Sequence, residues 1–263
     1  MKLTIAAQGG LCNRLRVLFG AMAVADELGQ EVRLVWHPDW QCEAYFDELF
    51  LPIDHPLLRV ANGTFLDRPS SHKELYLPQL LRLPLYRKQV KLFHPDRHGA
   101  LADAVRRHRR LYINTGYQIA PYGPKQTTLL RPLPELQAQI DKIAAKFTPR
   151  TVGVHIRRTD NQRSAEISTD AAFIEAMRRQ GDDADFFIAS DDGAVKWELR
   201  NAFPARTYSQ DTDGRRDNAF SVADAVIDLF CLARTRMVIG SYWSSFSDVA
   251  AELGQIPLEI ARQ

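Results

Sequence analysis

The chain has 263 residues, 45% hydrophobic and 25% charged, with a formal net charge of +2. This length and balance suit one large or two ordinary globular cores and exclude a mainly disordered or fibrous chain, while near-neutral charge argues against wholesale nucleic-acid binding. No apolar run approaches the ~18–20 residues of a membrane span, and the opening MKLTIAAQGGLCNR is too short in apolar residues for a signal-peptide core. Cys12, Cys42 and Cys231 form no CxxC pair and read as reduced thiols of a cytoplasmic protein.

In chain order, Leu3, Ile5 and Ala7 predict a strand that Gly9-Gly10 ends. Leu15, Leu18, Met22, Ala25 and Leu28 then recur at spacings of three and four, one face of a helix closed by Gly29. Residues 32–36, VRLVW, predict a buried strand, so the chain opens as βαβ with a parallel sheet. Seven prolines punctuate 37–110, where only short helices near 43–50 and 99–109 are expected. LYINTGY (111–117) predicts a strand and 132–147 a helix, with a boundary at Thr148-Pro149-Arg150.

Beyond 151 the alternation is regular. Strands are expected at 151–156, 185–190, 236–240 and 256–261, and helices at 169–180, 193–202, 219–233 and 247–253. Asp191-Asp192 stand where the N-cap of the 193–202 helix belongs.

Several segments carry chemistry. HIRRTD (155–160) runs a buried strand into Arg157 and Arg158 at its carboxyl end, the edge where open α/β sheets bind ligands. Two guanidinium groups there suit a diphosphate, or else form a solvated pair capped by Asp160. In SYWSSFS (241–247), Ser244 and Ser245 precede a helix and can bind an anion. Trp243 or Phe246 can stack on a base, whereas the plain alternative is Ser247 as N-cap beside buried aromatics. Asp228 interrupts the apolar run AVIDLFCL, where a carboxylate needs a partner such as the paired N–H donors of guanine; alternatively Asp224 and Asp228 both face solvent. Asn13 and Arg14 are expected at the first turn of the first helix, facing a crevice between domains. The Gly-Gly turn is neither GxGxxG nor a Walker loop, and DTD (211–213) sits in a polar loop that reads as a solvated turn.

Taken in order, GGLCNRLR, VGVHIRRTD, FFIASDD, VIDLFCLART and SSFSDVAAELG resemble the GDP-fucose-dependent fucosyltransferases of the α-1,2/α-1,6/protein-O type, above all the α-1,6 and Nod-factor branch. The resemblance covers the first 40 residues and most of 151–263, and hardly touches 41–130. It implies a GT-B fold of two Rossmann-like α/β domains facing a cleft, 1–148 on the acceptor side and 149–263 holding the GDP-sugar. It implies His155 and Asp228 on the guanosine, Arg157 on the β-phosphate and Ser244 and Ser245 completing the anion site; the residue chemistry above adds Arg158 and Phe246 to the donor site. Asn13 aligns with a residue near the reacting centre in the protein-O relatives.

The reaction implied is inverting and metal-independent, with GDP-fucose as donor and no cofactor. Glu166 is the candidate base and Asp160 the fallback. Glu166 is offset by one position from the relatives' glutamate, and Asn161 replaces their lysine, so both departures fall on acceptor chemistry. The alternatives are another GDP-sugar as donor, or a binding protein that kept the fold. The chain is expected to lack the anchor, stem and accessory domain of the animal enzymes and to act at a cytosolic site.

The charge is unevenly spread: 17 Lys/Arg oppose 12 Asp/Glu in residues 1–130, and 17 oppose 20 in 131–263. Nine cations lie between Arg82 and Arg110, against only Asp96 and Asp103. This belt is either solvated surface or a peripheral contact with an anionic membrane surface or lipid-linked glycan.

Overall fold

A computed structural model describes residues 2–68, 75–158, 162–210 and 222–262. Asp160, Asn161 and the DTD loop at 211–213 lie outside the described residues. The chain divides into two compact units, Met1–Leu133 and Pro134–Gln263.

In the first unit, β1 (Lys2–Ala7), α1 (Leu11–Leu28) and β2 (Val32–Trp36) form the expected βαβ opening. Gly29 closes α1 in the left-handed region (φ 58°) and donates its N–H to Asp26 O. There follow β3 (Leu58–Asn62), α2 (Leu77–Arg82), β4 (Lys88–Val90), α3 (Pro95–His98), α4 (Leu101–Arg107), β5 (Arg110–Thr115) and α5 (Pro124–Thr127). The five described strands pair in parallel in the order β3-β2-β1-β5-β4.

The second unit runs α6 (Pro134–Ala144), β6 (Val152–Ile156), α7 (Gln162–Ile167), α8 (Asp170–Arg178), β7 (Phe186–Ser190), α9 (Gly193–Ala202), β8 (Thr207–Tyr208), α10 (Val222–Leu232), β9 (Val238–Gly240), α11 (Ser245–Gly254) and β10 (Leu258–Ile260). Its strands are also parallel, in the order β10-β9-β6-β7-β8. This is the Rossmann order, with its reversal between β6 and β9. Its core is made of fully buried Val152, Val154 and Ile156 from β6, with Phe173 and Met177 from α8 and Phe186 and Ile188 from β7.

Two boundaries differ from expectation. The unit boundary falls at 133/134 rather than 148, because α6 packs on α10 of the second unit. α11 begins at Ser245, so Ser244 is its N-cap and Ser247 lies inside the first turn. By contrast, Asp192 caps α9 as expected, its carboxylate accepting from Ala194 N–H at 2.8 Å. Among the described residues no helix is long and apolar enough to cross a membrane.

Candidate functional site

The order reversal places the loops after β6, β7 and β9 side by side at the carboxyl edge of the second sheet. His155 is in register with Gly240 on one side and Ala189 on the other. Arg157 N–H donates to Ser241 Oγ at 3.0 Å, and Ser241 Oγ donates to His155 O at 3.3 Å. Arg158 N–H donates to Asp191 Oδ1 at 2.9 Å. The backbone carrying both arginines is therefore held from both neighbouring loops.

His155 is buried, with its ring stacked on Phe246 (centroids 4.5 Å apart, planes 16° from parallel) and its Nδ1 2.8 Å from Ser247 Oγ. Ser247 comes this close to the sheet because β9 carries glycine there: a Cβ on Gly240 would stand 2.5 Å from Ser247 Cβ. Burial, aided by the Arg157 charge and opposed by Asp191, lowers the His155 pKa to about 3. The imidazole is thus neutral at physiological pH and acts as a hydrogen-bonding partner, not a cation.

The two arginines differ. The Arg158 guanidinium ion-pairs with Asp170 through Nε (3.2 Å to Oδ1) and Nη2 and donates from Nη1 to Arg157 O at 3.1 Å. It also lies over the Phe173 ring at 5.7 Å. Those contacts fasten the β6 loop to the start of α8. Arg158, expected beside Arg157 on a diphosphate, is thus placed on Asp170, while Arg157 is half-buried at the strand end.

Ser244 is the most informative residue of the α11 end. It is 2% exposed, makes no side-chain cap hydrogen bond, and its Oγ has no hydrogen-bond partner among the described residues. A buried hydroxyl without a partner is costly, and the first turn of a helix leaves N–H groups that have no partner within the helix. With the positive end of the helix dipole, such a helix end has the chemistry to receive an anion. Ser245 and Phe246 are half-buried beside it. Trp243, just before, is exposed and held at φ 51°, a left-handed conformation unfavourable for a bulky side chain. Arg163 of α7 lies over its ring at 5.3 Å.

Asp228 sits on α10, 1% exposed, so it is Asp228 that is enclosed and not a solvent-facing pair with Asp224. Gln210 Nε2 donates to Asp228 Oδ1 at 2.7 Å and to Asp224 O at 2.8 Å. Burial pushes the Asp228 carboxyl up to about 7, with Asp224 adding to the shift and Lys196 and Gln210 opposing it. Gln210 was not singled out from the sequence; nothing distinguishes it there from any polar residue after a strand.

Glu166 is exposed on α7, between β6 and α8. Asn13 belongs to the first unit, half-buried in the first turn of α1, where its amide covers Gly9 (φ 89°): a Cβ on Gly9 would be 2.9 Å from Asn13 Nδ2. Arg14 does not face outward as expected. It is fully buried, donating to Gly9 O (2.7 Å) and His37 O (2.6 Å) and pairing with Asp39 at 2.8 Å. Its role is to fasten the Gly-Gly turn to the end of β2. Near the carboxyl end of this sheet, Gln8, Gln89, Asn114 and Lys91 help line a polar cavity of about 70 Å³. Asn114 Oδ1 is buried without a hydrogen-bond partner among the described residues.

No protein-family model matches the chain, and no curated protein matches it in sequence. Solved structures do match in fold. The fucosyltransferase NodZ from Bradyrhizobium superposes with a TM-score of 0.61 at 16% identity, covering 96% of this chain and 94% of that one. POFUT1 in complex with GDP gives 0.61 at 14% identity, covering 99% and 98%. NodZ alpha-1,6-fucosyltransferase soaked with GDP-fucose gives 0.60 at 16%, covering 96% and 93%. The chain thus has the two-unit α/β fold, GT-B, of these fucosyltransferases.

Proposed function

We propose that this chain is an inverting, metal-independent glycosyltransferase that moves fucose from GDP-fucose to a glycan hydroxyl at a cytosolic site. The observation that carries the reading is the buried Ser244 hydroxyl at the N-terminus of α11, without a hydrogen-bond partner among the described residues, beside the strand end that bears Arg157. A diphosphate would supply an acceptor oxygen for the Ser244 hydroxyl, which has none among the described residues. In the NodZ structure soaked with GDP-fucose and the POFUT1 complex with GDP, the same fold is associated with such a nucleotide.

In this reading the second unit holds the donor. The α11 amides and Ser244 and Ser245 take the phosphates, Arg157 takes the β-phosphate, and His155 and Asp228 take the guanosine, with Phe246 supporting the His155 ring. Arg158 acts by positioning Arg157 through its carbonyl. The acceptor hydroxyl attacks the anomeric carbon in line as the bond to the β-phosphate oxygen breaks. The charge developing on GDP is stabilised by Arg157 and the helix end, in place of a metal ion. Glu166 takes the acceptor proton, with Asp160 as the fallback. The first unit receives the acceptor, with Asn13 at the reacting centre and the Asn114 cavity as a site for a sugar hydroxyl.

The direct test is incubation with GDP-fucose and a glycan panel, read by mass spectrometry as gain of one deoxyhexose. Glu166→Gln is expected to lower turnover about 100-fold or more while leaving GDP binding intact. GDP binding with no transfer to any acceptor would instead make the chain a nucleotide-sugar-binding protein, and transfer from another GDP-sugar alone would overturn the donor.

A further inference from the structure

The helix α2 of the first unit is inside out. Its buried positions are Pro78 and Arg82, one turn apart. Arg82 is drawn inward: Nε donates to Gln89 Oε1 at 3.1 Å, Nη1 donates to Leu66 O, and the guanidinium lies 4.2 Å over the Tyr112 ring. With that face fixed against β4 and β5, the leucines of α2 and the turn after it point to solvent. Leu77, Leu80, Leu81, Leu83 and Leu85 are each 41–57% exposed. Single exposed leucines are unremarkable, but five within nine residues form an apolar patch that a water-facing surface does not need.

Beside them lies a cationic cleft. Leu85 lines a cavity of about 600 Å³ together with Lys2, Arg87, Arg109 and Arg110, and no acidic residue lines it among the described residues. These cations are anchored by the sheet: Lys2 and Arg110 begin β1 and β5, and Arg87 directly precedes β4. Lys2 N–H donates to Arg109 O at 2.8 Å, and Arg87 N–H to Arg110 O at 3.0 Å. All of them stand at the amino edge of the sheet. Gly9, Gly10 and Asn13 follow the carboxyl end of β1, so occupation of the cationic edge leaves that end open.

We propose that the first unit docks on an anionic lipid bilayer through this patch, the α2 leucines entering the interfacial layer and the cleft seating lipid phosphates. Apolar side chains bordered by fixed cations are the combination that binds the headgroup boundary of anionic membranes.

The test is co-sedimentation of the full chain with vesicles of phosphatidylcholine alone and of phosphatidylcholine mixed with phosphatidylglycerol. The chain should pellet with the anionic vesicles, weakly or not at all with neutral ones, and less as salt rises. Arg87→Glu/Arg110→Glu should lower binding about 25-fold or more, taking about fivefold per cation. Leu80→Glu/Leu81→Glu should lower it about tenfold or more. Both variants alter exposed side chains and should keep the parent Tm. Equal binding to neutral vesicles, no binding at low salt, or unchanged binding by both variants would overturn the proposal. So would a dimer that Leu80→Glu/Leu81→Glu abolishes without vesicle binding, or capture of soluble polyphosphate without vesicle binding.

Discussion

Asp228 and His155 are both buried and shifted in opposite senses, so they pull stability in opposite directions with pH. The Asp228 pKa rises from 3.8 to about 7, so between those values the folded chain holds a proton the unfolded chain has lost, and stability falls as pH rises. The His155 pKa falls from 6.5 to about 3, so the unfolded chain holds the extra proton in that window, and stability falls as pH drops. Between about pH 4 and 6.5 the two slopes oppose each other. Asp228→Asn removes one of them. The variant should gain on the parent by about 1.4 kcal/mol per pH unit from pH ~4 to ~7, and by no more above that, as read by urea unfolding. A gap between variant and parent that does not change with pH would contradict this. Asp228 was legible in the sequence because a carboxylate in AVIDLFCL breaks an apolar pattern. Arg14 differs from expectation because a charged side chain after a glycine turn reads as facing outward, and nothing local announces that Asp39 will draw it in; nor does anything local announce the Arg158–Asp170 ion pair.

At the scale of elements, periodicity revealed what packing on one face enforces. β1, α1, β2 and nearly every element of the second unit carry that signal. Residues 37–110 do not, since β3 is an edge strand with mostly half-exposed residues and β4 is the tripeptide Lys88-Gln89-Val90. Their pairing is set by β2 and β5, not by their own pattern. The start of α11 was missed by two residues because Ser244 and Ser247 are equally good caps in sequence. What separates them is Gly240, which lets Ser247 pack onto β9 and reach His155. Gly240→Ala should therefore part α11 from β9, destabilising the fold by about 1–3 kcal/mol and loosening the His155–Ser247 contact. A thermal melt unchanged by this methyl group would show that the close packing is not needed.

The molecule as a whole repeats one architecture, a parallel five-stranded sheet in each unit among the described residues, with the strand order differing at one edge. The sequence division at 148 followed Thr148-Pro149-Arg150, whereas the fold assigns α6 to the second unit through its packing on α10, a contact with a helix some 80 residues later that no local signal records. The motifs and the fold lead to the same family of folds, although identity to NodZ and POFUT1 is only 14–17%. At that distance the feature most specific to this chain is the carboxyl edge of the second sheet, where Ser244 Oγ is buried without a partner among the described residues. Calorimetric titration of GDP and UDP into the parent chain and Ser244→Ala tests it most directly. GDP should bind, UDP at least about tenfold more weakly, and Ser244→Ala should weaken GDP about tenfold, as for a lost hydrogen bond to a charged group, without lowering the Tm of the free chain. Equal affinity for the two nucleotides, or a GDP affinity indifferent to Ser244, would contradict the account.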